Sequence, residues 1–242
     1  MSKETPCEIF ARRLIVKRPV PTKPNGIEYY SGEGSNYPRS YLDPESSHRY
    51  RFWDMGDWIA RKLPGEANIL DVGGALGHLS YWMKRRHPGI KVINSDYSVE
   101  ALKRGRENGV DSPVGLSADR LPFKKEAFEG IVFGDVLEHL TPRQAEASLK
   151  ETMRVLVPGG MVFINIPNKD TWTKIAFEEP THLWIPGIKD MVDSLKVLGF
   201  EEINSSTRGF PFSFGLRKVI DRDIHLPFLG TSIFVSARKP KE

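Results

Sequence analysis

Ile69-Leu70-Asp71-Val72-Gly73-Gly74-Ala75-Leu76-Gly77 is an apolar run that ends in an acid, turns through glycines and continues into the amphipathic stretch from His78 to His87. That order predicts a strand, a tight turn and a helix. A turn bare of side chains lets a ligand lie directly against the backbone, and the helix N-terminus behind it offers N–H groups. Nineteen residues past Gly77 a second apolar run, Lys91-Val92-Ile93-Asn94-Ser95, ends at Asp96. An acid at the tip of a second strand can accept both hydroxyls of a ribose. The two features together predict a nucleoside-containing cofactor on a Rossmann-like sheet.

The turn discriminates between cofactors. A dinucleotide fingerprint started at Gly73 needs glycine where Ala75 and His78 stand. The pattern Asp-x-Gly-x-Gly/Ala-x-Gly fits instead, through Asp71, Gly73, Ala75 and Gly77. This resembles the first motif of class I S-adenosylmethionine (SAM) methyltransferases, with Ala75 where most members have glycine. Later segments extend the resemblance in order. Gly115-Leu116-Ser117-Ala118-Asp119-Arg120-Leu121-Pro122-Phe123 follows a short third strand, and Phe128 to Gly134 reads as a buried fourth. Asp135-Val136-Leu137-Glu138-His139-Leu140 comes next, with Pro142 suited to a first helical turn. Arg154 to Gly160 is similar to the family's helix stop before strand five, here Met161 to Ile166; Gly199-Phe200-Glu201-Glu202-Ile203 opens a sixth strand and Ser232 to Arg238 alternates as a seventh. The resemblance spans residues 65–207 plus the last strand. It is nearest the subgroup that includes the ubiquinone-pathway O-methyltransferases and many small-molecule enzymes.

The resemblance implies an α/β, Rossmann-like class I methyltransferase fold: a seven-stranded mixed sheet with an antiparallel last strand and helices on both faces. It implies SAM as cofactor, contacted by Asp71, Gly73, Gly74, Ala75, Gly77, Asp96, Tyr97, Ala118, Asp119, Asp135 and Val136. In the family, an acid placed like Asp119 accepts a hydrogen bond from the adenine amino group.

Length and composition suit one α/β domain with decoration: 242 residues, 39% of them hydrophobic. The expected division is an N-terminal extension and helix over 1–64 and a SAM-binding domain over 65–242, with an insertion at 208–230 in the last hairpin. A single cysteine, Cys7, excludes internal disulfides and thiolate metal clusters. No apolar run is long enough to span a membrane and residues 1–20 lack a signal-peptide core, so a cytoplasmic protein is expected. The net charge of +4 and pI near 9.1 raise the question of nucleic acid. The basic residues, however, form short clusters such as Lys84-Arg85-Arg86 and Lys103-Arg104 on helices, which read as solvated faces.

Three regions lie outside the core pattern. Residues 1–45 are rich in proline and tyrosine, including Tyr29 and Tyr30; residues 168–187 carry Trp172, Phe177, His182 and Trp184; residues 208–230 carry Phe210, Phe212, Phe214 and Phe228. Ligands of open α/β sheets sit beyond the carboxyl ends of the strands, so these regions are read as a lid that builds an acceptor pocket. Tyr29, Tyr30, Trp184 and Arg208 are its candidate substrate residues. The intervening helix, over 46–62, carries Phe52, Trp53, Met55, Trp58 and Ile59, read as packing onto the sheet.

Methyl transfer from a sulfonium is an in-line displacement, so the main task is to align the reactants and exclude water. A base is needed only for a hydroxyl or protonated amine. His182, in Pro180-Thr181-His182-Leu183-Trp184, is the first candidate and His139 the second. Asp135, Glu138 and His139 are similar to a cation-binding segment of some ubiquinone-pathway methyltransferases. Only one helical turn contributes these ligands, and no metal is expected. The expected function is SAM-dependent methylation of a small molecule at oxygen or nitrogen. The alternatives are an RNA or protein methyltransferase and a non-catalytic SAM-fold subunit.

Overall fold

From residue 67 onward the apolar runs form strands that bury both faces, as parallel sheets require. The computed structural model describes residues 49–107, 109–111, 113–171, 181–208 and 230–242. In chain order the elements are α1 (Arg49–Ala60), β1 (Ala67–Val72), α2 (His78–Arg86), β2 (Ile90–Asp96), α3 (Val99–Glu107), β3 (Val114–Gly115), β4 (Phe128–Gly134), a 3₁₀ turn (Leu137–His139), α4 (Pro142–Val155), β5 (Leu156–Pro167), α5 (Ile188–Val197), β6 (Glu201–Arg208) and β7 (Ser232–Arg238). Tyr29, Tyr30, Trp172, Phe177, Phe210, Phe212, Phe214 and Phe228 lie outside the described residues.

The sheet order is β3-β2-β1-β4-β5-β7-β6. β1 to β5 pair in parallel, and β7 runs antiparallel to both β5 and β6. Alternate residues of β1, β4 and β5 divide between two cores. Leu70, Val72, Ile131, Phe133, Val162 and Ile164 join residues of α4 and α5 on one face. Ile69, Val132 and Phe163 join Met55, Trp58 and Ile59 of α1 and Leu79 and Met83 of α2 on the other. Trp58 meets Phe163 edge-on at 5.2 Å between centroids. Trp58 therefore packs on the sheet, whereas Trp53 and Phe52 lie against Trp82 and His78 of α2.

One local feature departs from expectation. The helix before β5 ends at Val155 and the strand starts at once, so the expected helix stop falls inside β5. Phe128 pairs with Leu156 and Gly130 with Met161; the extra residues bulge out around Gly159 at φ 78°. The basic clusters are largely paired: Lys84 with Asp111, Arg86 and His87 with Asp57, Arg104 with Glu100. Burial opposes ionisation of Asp57, but Arg86 and His87 outweigh it and hold its carboxyl below the usual range. No helix among the described residues is long and apolar enough to cross a membrane.

Pro142 takes the first turn of α4 behind Thr141, which forms a reciprocal cap with Gln144. At the other end of α4, Arg154 donates to the carbonyls of Leu121 and Phe123 at 2.9 and 2.8 Å and pairs with Glu151, which accepts from Leu121 N–H at 3.0 Å. One guanidinium thus fixes the loop that carries Ala118 and Asp119. Arg154→Met should cost about 1–3 kcal/mol, since it strands charge-assisted hydrogen-bond partners. Urea denaturation measures this; an unchanged midpoint would mean that the loop holds itself.

Candidate functional site

The parallel strands end on one edge, and the polar residues gather there. The β1 turn is folded down onto β2. Gly74 N–H donates to Ser95 O at 2.9 Å, Ser95 Oγ to Asp71 O at 2.8 Å and Asn94 Nδ2 to Ala75 O at 3.0 Å. Ala75 N–H donates to Asp96 Oδ2 at 3.0 Å, and Ser98 N–H to Asp96 Oδ1 at 2.8 Å. A carboxylate offers about four lone-pair sites, so Asp96 keeps capacity for ribose hydroxyls while its orientation is already set.

The glycines answer to the protein's own packing. A Cβ on Gly74 would lie 2.1 Å from Asn94 Oδ1 and 2.4 Å from Asp71 Oδ2. A Cβ on Gly73, at φ 72°, would lie 2.5 Å from Val136 Cγ2, so the segment after β4 rests on the turn. Ala75 itself sits at φ 44°, a left-handed conformation that costs an L-residue about 1–2 kcal/mol. Its methyl is accommodated in the turn, and its N–H and C=O bonds hold it there. Gly73, Gly74, Ala75 and Leu76 remain half-buried between the buried Val72 and Gly77. A stretch of nearly bare backbone is thus accessible beside a ribose-competent acid and ahead of α2, whose N-cap, Gly77, supplies no side-chain hydrogen bond. These residues fit SAM.

Asp71 is 3% exposed beneath Gly74. Burial, and then the Asp96 charge, push its carboxyl up to about 7. Burial also raises Asp96, against the N–H groups of Ser98, Ala75 and Tyr97. Tyr97 is 42% exposed beside the tip of β2. Asp119 accepts from Ser117 Oγ at 2.6 Å in a loop closed by the Ser117–Arg120 bridge. At the end of β4, Asp135 sits at φ 55°, donates its N–H to Asn165 O at 2.8 Å and accepts from Asn165 Nδ2 at 3.0 Å.

The 3₁₀ turn brings the two candidate bases together. The Glu138 carbonyl accepts N–H bonds from Leu183 at 2.7 Å and Trp184 at 3.1 Å, which pins the segment after β5 against the turn. The His139 and His182 rings then lie 5.0 Å apart, edge to face. Trp184 is 4% exposed and packs in the larger core, which leaves it little surface for an acceptor. Arg208 ends β6, with its guanidinium 4.4 Å from the Phe234 ring centre and 5.6 Å from that of Trp58. Sequence reading missed Asn94 and Asn165; the available signal was one amide inside each of two apolar strands.

Two outcomes follow from this geometry. Calorimetry should show binding of SAM and its demethylated product but not of NAD, and Asp96→Ala should weaken SAM by about 1–3 kcal/mol, the cost of unpairing buried polar groups. Equal SAM affinity in the variant would remove Asp96 from the site. Asp71 has a folded pKa raised above its unfolded one, so the penalty for ionising it is absent below the unfolded value and complete only above about 7. Asp71→Asn should therefore gain stability relative to the parent between about pH 5 and about pH 8; parallel urea-unfolding profiles would contradict this.

Residues 70–164 match a family model described as "Methyltransferase domain". Over 101 residues the chain is 36% identical to the ubiquinone/menaquinone biosynthesis C-methyltransferase UbiE of Desulfotalea psychrophila, covering 40% of each chain. Over 138 residues it is 27% identical to the trans-aconitate 2-methyltransferase of Mycobacterium tuberculosis, covering 57% of this chain and 48% of that one. The matches thus span about half or less of these relatives' length. A SAM-dependent methyltransferase from Thermotoga maritima, described as a possible histamine N-methyltransferase, superimposes with a TM-score of 0.65 at 19% identity over 83% of this chain and 93% of that one. The turn, the strand order and these likenesses agree: the chain has the class I methyltransferase fold, and residues 70–164 are similar to the methyltransferase domain of such enzymes.

Proposed function

We propose that the chain transfers a methyl group from SAM to an oxygen or nitrogen of a small-molecule acceptor, with His182 as general base and His139 as its neighbour. One observation carries this reading: the cradle of Gly73, Ala75 and Asp96 and the His139–His182 pair lie at the ends of neighbouring parallel strands. Val136 links them, touching Gly73 just three residues before His139.

SAM, when bound, supplies a methyl group already activated on a sulfonium, which leaves the protein the tasks of alignment and proton removal. Asp96 would accept hydrogen bonds from the ribose hydroxyls, and Tyr97, Ala118 and Asp119 would hold the adenine. Asp135 and Val136 close the side toward β4. His139 Nδ1 lies 3.2 Å from Thr181 O; a carbonyl only accepts, so Nδ1 carries the proton and Nε2 holds the lone pair of the neutral ring. His182, on the segment that this contact steadies, takes the acceptor's proton.

The domain division at 64/65 and the lid belong to the same proposal. The proposed lid comprises residues 1–45, 168–187 and 208–230, with Tyr29, Tyr30 and Arg208 as its candidate acceptor residues; Trp184 leaves that set because it is buried in the core. In support, Asn168 N–H and Nδ2 bond Thr231 O at 2.9 Å and Gly230 O at 2.8 Å, tying the β5 exit to the β7 entry at the cofactor edge. A carbon acceptor is the second reading, favoured by the UbiE relatives, which are described as C-methyltransferases.

His182→Ala should lower turnover by roughly 10²–10⁴ with SAM affinity nearly constant, the usual worth of a general base. A loss confined to acceptor affinity would make His182 a positioning residue. Unchanged kinetics would remove His182 from the proton transfer, whichever atom of the acceptor is methylated.

A further inference from the structure

Three consecutive polar residues follow β5, and each reaches a different segment. Asn168 is fully buried; its N–H and Nδ2 donate to Thr231 O and Gly230 O, and its Oδ1 accepts from Asp170 N–H at 3.0 Å. Lys169 Nζ donates to Asp190 Oδ2 at 2.6 Å, and Lys169 N–H to Pro186 O at 3.3 Å. The Asp170 carboxylate lies over Gly187, where a Cβ would meet its Oδ2 at 2.3 Å. Asp190 Oδ2 also accepts from Gly187 N–H at 3.1 Å, at the N-cap of α5. The exit of β5 is thus clamped to the last residues before α5.

Pro186 and Gly187 end the segment that carries His182. The same segment is held at a second place, where Leu183 and Trp184 donate to the Glu138 carbonyl. The stand of His182 at the cofactor edge therefore depends on two anchors, the turn after β4 and the clamp on β5.

Asp190 is buried and the Lys169 side chain is 25% exposed. An ion pair in such surroundings adds little net stability, because desolvation offsets the attraction, and neutral side chains of like size hold a fold as well. What the pair supplies is register: a charged contact of 2.6 Å between residues 21 apart in sequence.

We propose that Lys169 and Asp190 are positioning residues for His182, their ion pair setting where residues 181–187 stand against the turn after β4. The purpose of the pair rests on the methyl-transfer reading above. A reacting group displaced by about 1 Å can lose about 10²-fold in rate. A base carried on a connection needs its backbone fixed from the strand beneath, and the pair does this through Gly187 and Pro186.

The test needs no acceptor. It follows, in the full chain, hydrogen exchange at the Leu183 and Trp184 amides, the His182 imidazole signals by NMR, the urea midpoint, and SAM affinity by calorimetry. Exchange in β1 serves as the internal standard, so that local release is read apart from global unfolding. The variants are Lys169→Met, Lys169→Arg and the double variant Lys169→Met with Asp190→Asn. The double variant removes the charge from both partners and keeps an amide oxygen for Gly187 N–H, which guards against a folding defect. Lys169→Met and the double variant should each speed exchange at both amides at least tenfold relative to β1 and shift the His182 signals, the double variant doing so at the parent's urea midpoint. Lys169→Arg should keep the parent's pattern, and SAM affinity should change less than about twofold throughout. The proposal is overturned if Lys169→Met leaves the amides and the imidazole as in the parent. It is also overturned if the double variant restores both together with stability, since the pair would then be a structural contact only. A parent series that behaves as expected but binds no SAM would uphold the positioning of the segment and sink the methyl-transfer reading.

Discussion

The hydrogen bond from Ala75 N–H to the Asp96 carboxylate is the contact on which the cofactor edge depends. It joins a turn that follows one strand to the tip of the next, and it can form only because β1 and β2 run parallel with Val72 opposite Ser95. Its neighbours, Gly74 to Ser95 and Asn94 to Ala75, press the same turn against the same strand. The arrangement is costly. It buries Asp71 near Asp96 and holds an alanine at positive φ. Such local expense is tolerated where the surrounding structure over-determines it, and here two fully packed cores on either side of the sheet do so.

The second edge feature is made differently. A 3₁₀ turn is too short to satisfy its own carbonyls in the manner of an α-helix. That of Glu138 instead receives the backbone of the segment after β5. A backbone need of the turn thereby sets the distance between two histidines 43 residues apart in sequence. The same contact delivers Trp184 into the core, so an aromatic that looked suited to an acceptor is used to anchor the segment that carries His182.

Legibility in the sequence followed the range of the interaction. The β1 turn, Asp96 and the β7 strand were readable because each is a local pattern: glycine spacing, an acid after an apolar run, alternation. Pro142 announced α4 in the same way. The Glu138–His139–His182 grouping was not readable, because nothing local says that the chain after β5 folds back onto a turn after β4. Asn94 and Asn165 were passed over as polar interruptions of strands, although an amide buried in a strand needs partners and each finds one at the site. The bulge in β5 was read as a helix stop, since Pro158-Gly159-Gly160 serves either purpose until the pairing with β4 is known.

The place of β7 between β5 and β6 has a consequence for how the molecule is assembled. The sixth position across the sheet is filled by its seventh strand in sequence. Until residues 232–238 arrive, β5 presents an open edge and β6 has no neighbour in the sheet. β1 to β5 can gather as synthesis proceeds, but β6 must wait for a strand that follows it. Closing the sheet late and through distant pairings slows folding and leaves an edge open to other chains in the interval. The cofactor turn, by contrast, lies wholly within the part that forms first.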